Sequence, residues 1–392
     1  MTPPPLAPPL GPLPMAFRAR VRDRLRVRAV AAELDGLLIL APGNLTYSTG
    51  WHFSINERPM GLWLPVSDDA RLLVPHLELD NALEVPGVAV SIYDEFPGQM
   101  PPVLWMIGQT GARRLGIDAL EARLLDAVRN RVDRLDLIDH VRPERIVKHP
   151  DELALIREAA RFADLALERL LDAASEVVGR GGTELDLMAD CTDHARAALA
   201  AAHGQAFHGT KIGITATVHS GPRAALPHGA VRARTPQRGE PVIAGIGCSL
   251  GGYHAESGAT LVCGAIGAEQ RRVMQVMDDA TRATVDALAR GLPCADVNAA
   301  ALASIRAAGL GDAIRHRIGH GMGVEGHEAP WLAPGDATLA APGMVFSCEP
   351  GVYRPGLDGW RTIDTLIVGT GGVEIASRFQ SEHPIDARVI PI

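Results

Sequence analysis

The sequence predicts an α+β protein of two domains: a smaller α/β N-terminal domain, then a larger domain in which helix pairs alternate with antiparallel strands. Three observations predict it. The chain has 392 residues, more than a single hydrophobic core usually serves. A polar segment with two prolines, His140 to Pro150, interrupts the periodic patterns. After that segment the hydrophobic period switches more than once between helical and strand spacing, which argues against a parallel doubly wound sheet.

Met1 to Pro14 is proline-rich and lacks a basic start followed by an apolar run, so residues 1–14 read as a disordered tail and not as a secretory signal. Phe17 to Glu33 has the pattern of an amphipathic basic helix, and Gly36 to Leu40 reads as a short buried strand ended by Pro42-Gly43-Asn44. Strand-like runs follow at Met60 to Pro65, Ala70 to Val74, Val88 to Ile92 and Leu115 to Ile117, with a helix over Leu120 to Val132. These elements form the N-terminal domain, residues 15–141, with residues 142–150 as linker and 151–392 as the second domain. In that domain Leu153, Ile156, Ala160, Ala163, Leu167 and Leu170 share one face of a helix over Asp151 to Glu176. Thr183 with Asp186 then resembles a capping box that starts a second helix. Residues 205–262 carry strand character, two helices cover about 268–290 and 295–308, stopped by Gly291 and Gly309, and strands resume after His316.

Composition excludes several classes of function. A net charge of −8 with no dense Lys/Arg cluster argues against nucleic acid as a partner. No run of about 18 apolar residues offers a membrane span. The five cysteines, Cys191, Cys248, Cys263, Cys294 and Cys348, lack metal-site spacing and read as reduced thiols in a cytoplasmic protein. His52, His76, His194, His203 and His316 read as exposed or satisfied residues.

The chemistry concentrates in polar stations of the second half: Pro227-His228-Gly229, Tyr253-His254-Ala255-Glu256, Gly319-His320-Gly321-Met322-Gly323, Gly326-His327-Glu328 and Cys348-Glu349-Pro350-Gly351. Together with Lys148-His149-Pro150-Asp151-Glu152 and Arg361-Thr362-Ile363-Asp364-Thr365, their order and spacing resemble the pita-bread superfamily of prolidase, aminopeptidase P, methionine aminopeptidase and creatinase. Asn44-Leu45-Thr46-Tyr47-Ser48-Thr49-Gly50 resembles the Asn-x-x-Tyr-x-x-Gly turn of the family's N-terminal domain, and Glu57-Arg58-Pro59 a segment of creatinase. The resemblance implies a pita-bread C-terminal domain behind a creatinase-like α/β domain.

Peptidases of that superfamily hold two divalent ions with two Asp, one His and two Glu. By the resemblance those positions fall on Gly245, Glu256, His320, Glu349 and Ile363. Glycine and isoleucine supply no donor atoms, so a dinuclear site is not expected. Creatinase, which uses no metal and also has Glu at the position of Glu256, is the nearer comparison. It implies His228 as general base and acid, with Glu256 and Glu349 holding a cationic nitrogen of the substrate. It also implies Arg58 clamping a carboxylate across a homodimer, whereas the loop Val324 to Pro330 resembles that of the dipeptidases and implies His327 contacting the substrate and the developing oxyanion. An imidazole with an unperturbed pKa of about 6.5 suits that proton shuttle. His320, His254, on the strand face of Glu256, and Arg361 are further candidates for substrate binding; Asp364 is left to orient Arg361, and Cys348 reads as a structural thiol.

The leading expectation is a metal-independent hydrolase cleaving a C–N bond in a small amino-acid derivative or dipeptide. A mononuclear Xaa-Pro dipeptidase or aminopeptidase is the alternative, with manganese, zinc or iron held by Glu256, His320 and Glu349. A lyase acting on a small zwitterion and a non-catalytic binding protein remain further readings on the same scaffold.

Overall fold

The computed structural model describes residues 10–94 and 100–392, so residues 1–9 of the expected tail lie outside the described residues. The chain divides into two compact units, Pro12–Arg145 and a larger one that includes Ile146–Ile392.

The first unit runs α1 (Met15–Ala31), β1 (Gly36–Ile39), α2 (Pro42–Thr49), β2 (Gly61–Pro65), β3 (Arg71–Pro75), α3 (Leu79–Leu83), β4 (Ala89–Tyr93), α4 (Pro102–Thr110), β5 (Arg114–Ile117), α5 (Leu125–Arg129) and β6 (Arg134–Leu137), with α6 (Arg142–Ile146) at its end. Its six-stranded sheet has the order β4-β3-β2-β1-β5-β6. The strands are apolar and short, and β1 and β2 are buried on both faces, as a covered sheet requires.

One local expectation is corrected here. Pro42-Gly43-Asn44 does not end the strand in an open turn but begins α2, because proline at the first helical position loses no hydrogen bond and already has a helical φ. Gly50, left-handed at φ 79°, stops that helix. The Asn44 motif is thereby architectural. Asn44 is fully buried, donates to Asp118 at 2.8 Å and Asp139 at 2.9 Å, and accepts from Arg145 at 2.7 Å, while the Tyr47 hydroxyl donates to the Glu144 carbonyl at 3.0 Å.

The second unit begins with α7 (Pro150–Gly179), α8 (Glu184–His203), β7 (Gly213–Ser220), β8 (Pro241–Leu250), β9 (Tyr253–Cys263), α9 (Ala268–Ala289) and α10 (Cys294–Ala307). It continues with β10 (Gly319–Gly321), β11 (Glu328–Leu332), β12 (Val345–Cys348), β13 (Gly351–Arg354), β14 (Asp358–Arg361), β15 (Asp364–Gly369), β16 (Gly372–Ile375), α11 (Phe379–Glu382) and β17 (Val389–Ile390). One sheet has the order β17-β9-β8-β7, and a second β11-β10-β12-β15-β16. Both α7 and α8 start as their sequences suggest: His149 and Glu152 close one capping box, Thr183 and Asp186 the other. Glu152 also accepts from the Tyr253 hydroxyl at 2.9 Å, tying the start of α7 to β9. No helix among the described residues is long and apolar enough to cross a membrane.

Behind β9 and β15 two carboxyls are buried close together. Asp164 accepts from the Ser257 hydroxyl at 2.7 Å, and Asp364 from the Ser377 hydroxyl at 2.8 Å. Asp364 thus bonds Ser377 instead of orienting Arg361. Burial pushes the Asp164 carboxyl up to about 6 and that of Asp364 to about 7. An unfolded carboxyl titrates near 4. Between about pH 4 and 7 the folded chain keeps protons that the unfolded chain releases, so stability falls as pH rises through that window. Asp364→Asn, which never ionises, should gain on the wild type by about 2–4 °C in melting temperature between pH 5 and pH 8. Thermal denaturation at the two pH values checks this; an unchanged gap would refute it.

Candidate active site

The residues that carry the expected chemistry converge in the second unit. A cavity of about 190 Å³ is lined by His228, Glu256, His327, Glu349, Arg361 and Ile363, together with Thr215, Thr217, Gly245 and Gly247. Each lining residue is placed by a short element. His228 sits exposed in the turn after Leu226-Pro227, and His327 is exposed in the turn that leads into β11. Glu256 lies on β9 opposite Gly247 of β8, and Glu349 follows β12 directly.

His320 does not line the cavity but lies directly behind the lining residues Glu256, His327 and Glu349. It is fully buried on β10, which is hydrogen-bonded on both sides, to β11 and to β12. A side chain on Gly319 would collide with the Ser347 carbonyl, so β10 and β12 approach this closely only because glycine stands there. The His320 Nδ1–H donates to the Gly321 carbonyl at 3.0 Å, which turns Nε2 toward the cavity. Nε2 lies 3.4 Å from Glu349 Oε1 and 3.9 Å from Glu256 Oε2, without the alignment of a formed hydrogen bond. The His327 ring stacks on His320 with centroids 3.9 Å apart.

The electrostatics separate these groups. Burial works against ionisation of Glu349, but His320 and Arg361 outweigh it and hold the carboxyl at about 2. Burial raises the Glu256 pKa, His320 opposing it and the Glu349 charge adding to it. His320 itself loses to burial but gains more from the two glutamates, so its pKa is raised, whereas burial and the His320 charge lower that of His327. The surroundings therefore push His320 toward its cationic form beside the ionised Glu349, and the stacked His327 toward its neutral form. Glu256 is held by Ser347, whose hydroxyl donates at 2.8 Å, and by the Thr365 hydroxyl, which accepts from its N–H and donates to its carbonyl.

Other expected residues fall elsewhere. His254 does not line the cavity; its ring bonds the Gly323 carbonyl at 3.1 Å. Arg58 belongs to the first unit, where it pairs with Glu57. Cys348 is buried, its thiol pushed up to about 12 by that burial, as befits a structural thiol. His316 is satisfied on both nitrogens, by the Arg317 carbonyl and the Tyr353 hydroxyl. Thr215, Thr217 and Ser347 were not singled out from sequence, since hydroxyl residues on strands carry no spacing signal.

The metal-ligand pattern can be tested against this geometry. A side-chain carbon on Gly245 would lie 2.7 Å from Arg361 Nη2 and 3.2 Å from Ile363 Cδ1. The place of one expected carboxylate is thus filled by a guanidinium, and that of another by an apolar wall. A dinuclear site does not fit. Glu256, His320 and His327 do bring donor atoms within 4.8 Å of one another, so a single ion fits the donor set, with His327 present where the sequence pointed to Glu349.

Residues 154–375 match the model of metallopeptidase family M24, and residues 22–145 match the creatinase/prolidase N-terminal domain. The chain belongs to metallopeptidase family M24. That membership places it among the C–N bond hydrolases of the pita-bread peptidase and creatinase superfamily. Among M24 relatives, the probable dipeptidase PepE of Mycobacterium tuberculosis is 32% identical over 368 residues, 91% of this chain and 94% of that one. The Xaa-Pro dipeptidase of Pyrococcus furiosus is 28% identical over 357 residues, 89% and 95% of the two chains. The crystal structure of dipeptidase PepE from Mycobacterium ulcerans superimposes with a TM-score of 0.83 at 28% identity, over 97% of this chain and 100% of that one. The fold alone extends to the N-terminal domain of the FACT complex subunit SPT16 from Cicer arietinum, with a TM-score of 0.72 at 15% identity over 95% and 98% of the chains.

Proposed function

We propose that this M24 member hydrolyses a C–N bond in a small amino-acid derivative or dipeptide without a metal ion, with His228 as general base and acid. The observation that carries the reading is the guanidinium of Arg361 beside Gly245, with Ile363 next to it, where a second ion would need carboxylates. In this reading a water attacks the substrate carbonyl carbon as His228 takes its proton. The neutral His327 ring, stacked on His320, donates to the oxyanion that forms. The C–N bond then breaks, and His228 returns the proton to the departing nitrogen, releasing an acid and an amine. Glu349, anionic at every physiological pH, and Glu256 hold a cationic nitrogen of the substrate. By the creatinase resemblance, Arg58 of a homodimer partner would clamp the substrate carboxylate.

A second reading is favoured by the clustered donors of Glu256, His320 and His327. They would hold one divalent ion, which when bound would supply Lewis-acid activation of the scissile carbonyl. The names of the M24 relatives make Xaa-Pro dipeptides the first substrates to try. Elemental analysis of the purified protein, with turnover of Xaa-Pro dipeptides and of N-substituted amino acids measured before and after EDTA, separates the readings. Turnover within about twofold of the untreated rate in metal-free protein is the expected result. Loss on chelation with recovery on added manganese, zinc or iron would transfer the assignment to the single-ion site.

A further inference from the structure

Between Ala225 and Pro241 the chain forms neither helix nor strand, and His228 stands near the start of that stretch. Such a loop cannot pair its own backbone groups throughout, so side chains of neighbouring elements decide where it lies. Two buried residues do so here. His219, on β7 and 1% exposed, donates its ring Nε2–H to the carbonyl of Gly229 at 2.7 Å, one residue beyond His228. Burial lowers the His219 pKa, so its surroundings favour a neutral ring in that role. Glu184, the first residue of α8, is fully buried and gathers the segment from both sides. It accepts from the Ser220 N–H and hydroxyl at 2.8 Å and from Arg223 Nε at 3.2 Å on the way in, and from the Arg232 N–H at 3.4 Å on the way out. Arg223 in turn donates to the Ala230 carbonyl. A buried carboxylate is costly unless paired and hydrogen-bonded, and each of these bonds to Glu184 comes from the segment that carries His228.

We infer that His219 and Glu184 are positioning residues for His228, fixing the exposed turn that presents its imidazole to the cavity. The inference rests on the hydrolase reading for the task of His228 and goes beyond it in assigning what keeps that ring in place. Neither His219 nor Glu184 lines the cavity, so each acts through the turn and not on the substrate. His228 must take a proton from water and later return it to the departing nitrogen, and both transfers need one ring placement. A displacement of about 1 Å can cost about 100-fold in rate. The Gly229 carbonyl is the anchor nearest the imidazole, which makes His219 the residue whose loss the chemistry should feel first.

Hydrogen exchange of the full-length chain over residues 226–234, read by mass spectrometry, tests the holding without any substrate. His219→Leu, which removes the donor, should speed exchange there about 10-fold, while His219→Gln, which keeps a side-chain N–H, should stay within about twofold of the wild type. Kinetics follow on whichever Xaa-Pro dipeptide or N-substituted amino acid the wild type turns over. His219→Leu should lower kcat about 10–100-fold with KM within about threefold, and His219→Gln should recover most of that loss. In a His228→Ala background, His219→Leu should cost less than about twofold more, because its effect passes through that imidazole. Should His219→Leu fail to fold, as its melting temperature would show, Glu184→Gln carries the same measurements with the same expected results. Unchanged exchange, a His219→Gln no better than His219→Leu, or a full kcat loss that persists without His228 would each overturn the inference. Wild-type turnover by His228→Ala, or no turnover at all, would instead sink the hydrolase reading, and the exchange rates would still decide whether His219 holds the turn.

Discussion

Replacing His228 by alanine is expected to lower kcat/KM on an amide substrate by about 10²–10⁴, the range for loss of a positioned acid–base group. The fold should be untouched, because His228 is exposed in a turn, where substitutions usually cost under about 0.5 kcal/mol. The pairing of those two outcomes makes the experiment informative: a melting temperature unchanged alongside a collapsed rate assigns His228 to chemistry. Steady-state kinetics should show the loss in kcat more than in KM, since a proton shuttle acts in the transition state and binds the ground state little. A loss of less than about tenfold would move the shuttle to His327, the other exposed imidazole on the cavity.

Lys148→Met should destabilise the second unit by about 3–5 kcal/mol. Lys148 pairs with Glu328 at 2.9 Å, the two side chains being 1% and 6% exposed. Removing the cation takes from the buried Glu328 carboxylate its partner at 2.9 Å. Adding Glu328→Leu should restore most of the stability, because replacing a whole buried pair by apolar groups is often neutral. Chemical denaturation of the single and double variants checks both statements; a double variant no better than the single one would refute the account. The pair also matters for chemistry. Glu328 directly follows His327 and accepts from the Glu325 N–H at 3.3 Å, so it fixes the turn that presents that imidazole.

Much of this site could be read from the chain because its residues come in short runs with fixed spacing. His228, His327 and Glu349 each lie in a Gly- or Pro-bearing motif and Glu256 in the Tyr253–Glu256 run, and the structure brings all of them to one cavity. What stayed hidden depends on distant segments. Lys148 and Glu328 are 180 positions apart, and nothing local in either motif says that they meet. The loss of a carboxylate at Gly245 was evident from sequence, but not its physical meaning, which requires Arg361 of β14 to lie against β8. In the first unit, Pro42-Gly43 looks like a terminator in the sequence yet begins α2, because proline as readily opens a helix as closes a strand. Helix α4 is not legible in the sequence because its apolar run, Val103 to Ile107, lacks the polar alternation that reveals an amphipathic face.

The glycine clamp around His320 divides the cavity into parts with unequal freedom to vary. Its floor, with His320 directly behind it, hangs from β10, held on both sides by neighbouring strands, one of which, β12, comes too close for any side chain on Gly319. Its rim consists of the Leu226–Gly229 and Gly323–His327 turns, which carry His228 and His327 without belonging to either sheet. Random mutagenesis followed by selection for a new substrate would therefore collect its changes at the rim, and the floor would pass from one specificity to the next unaltered.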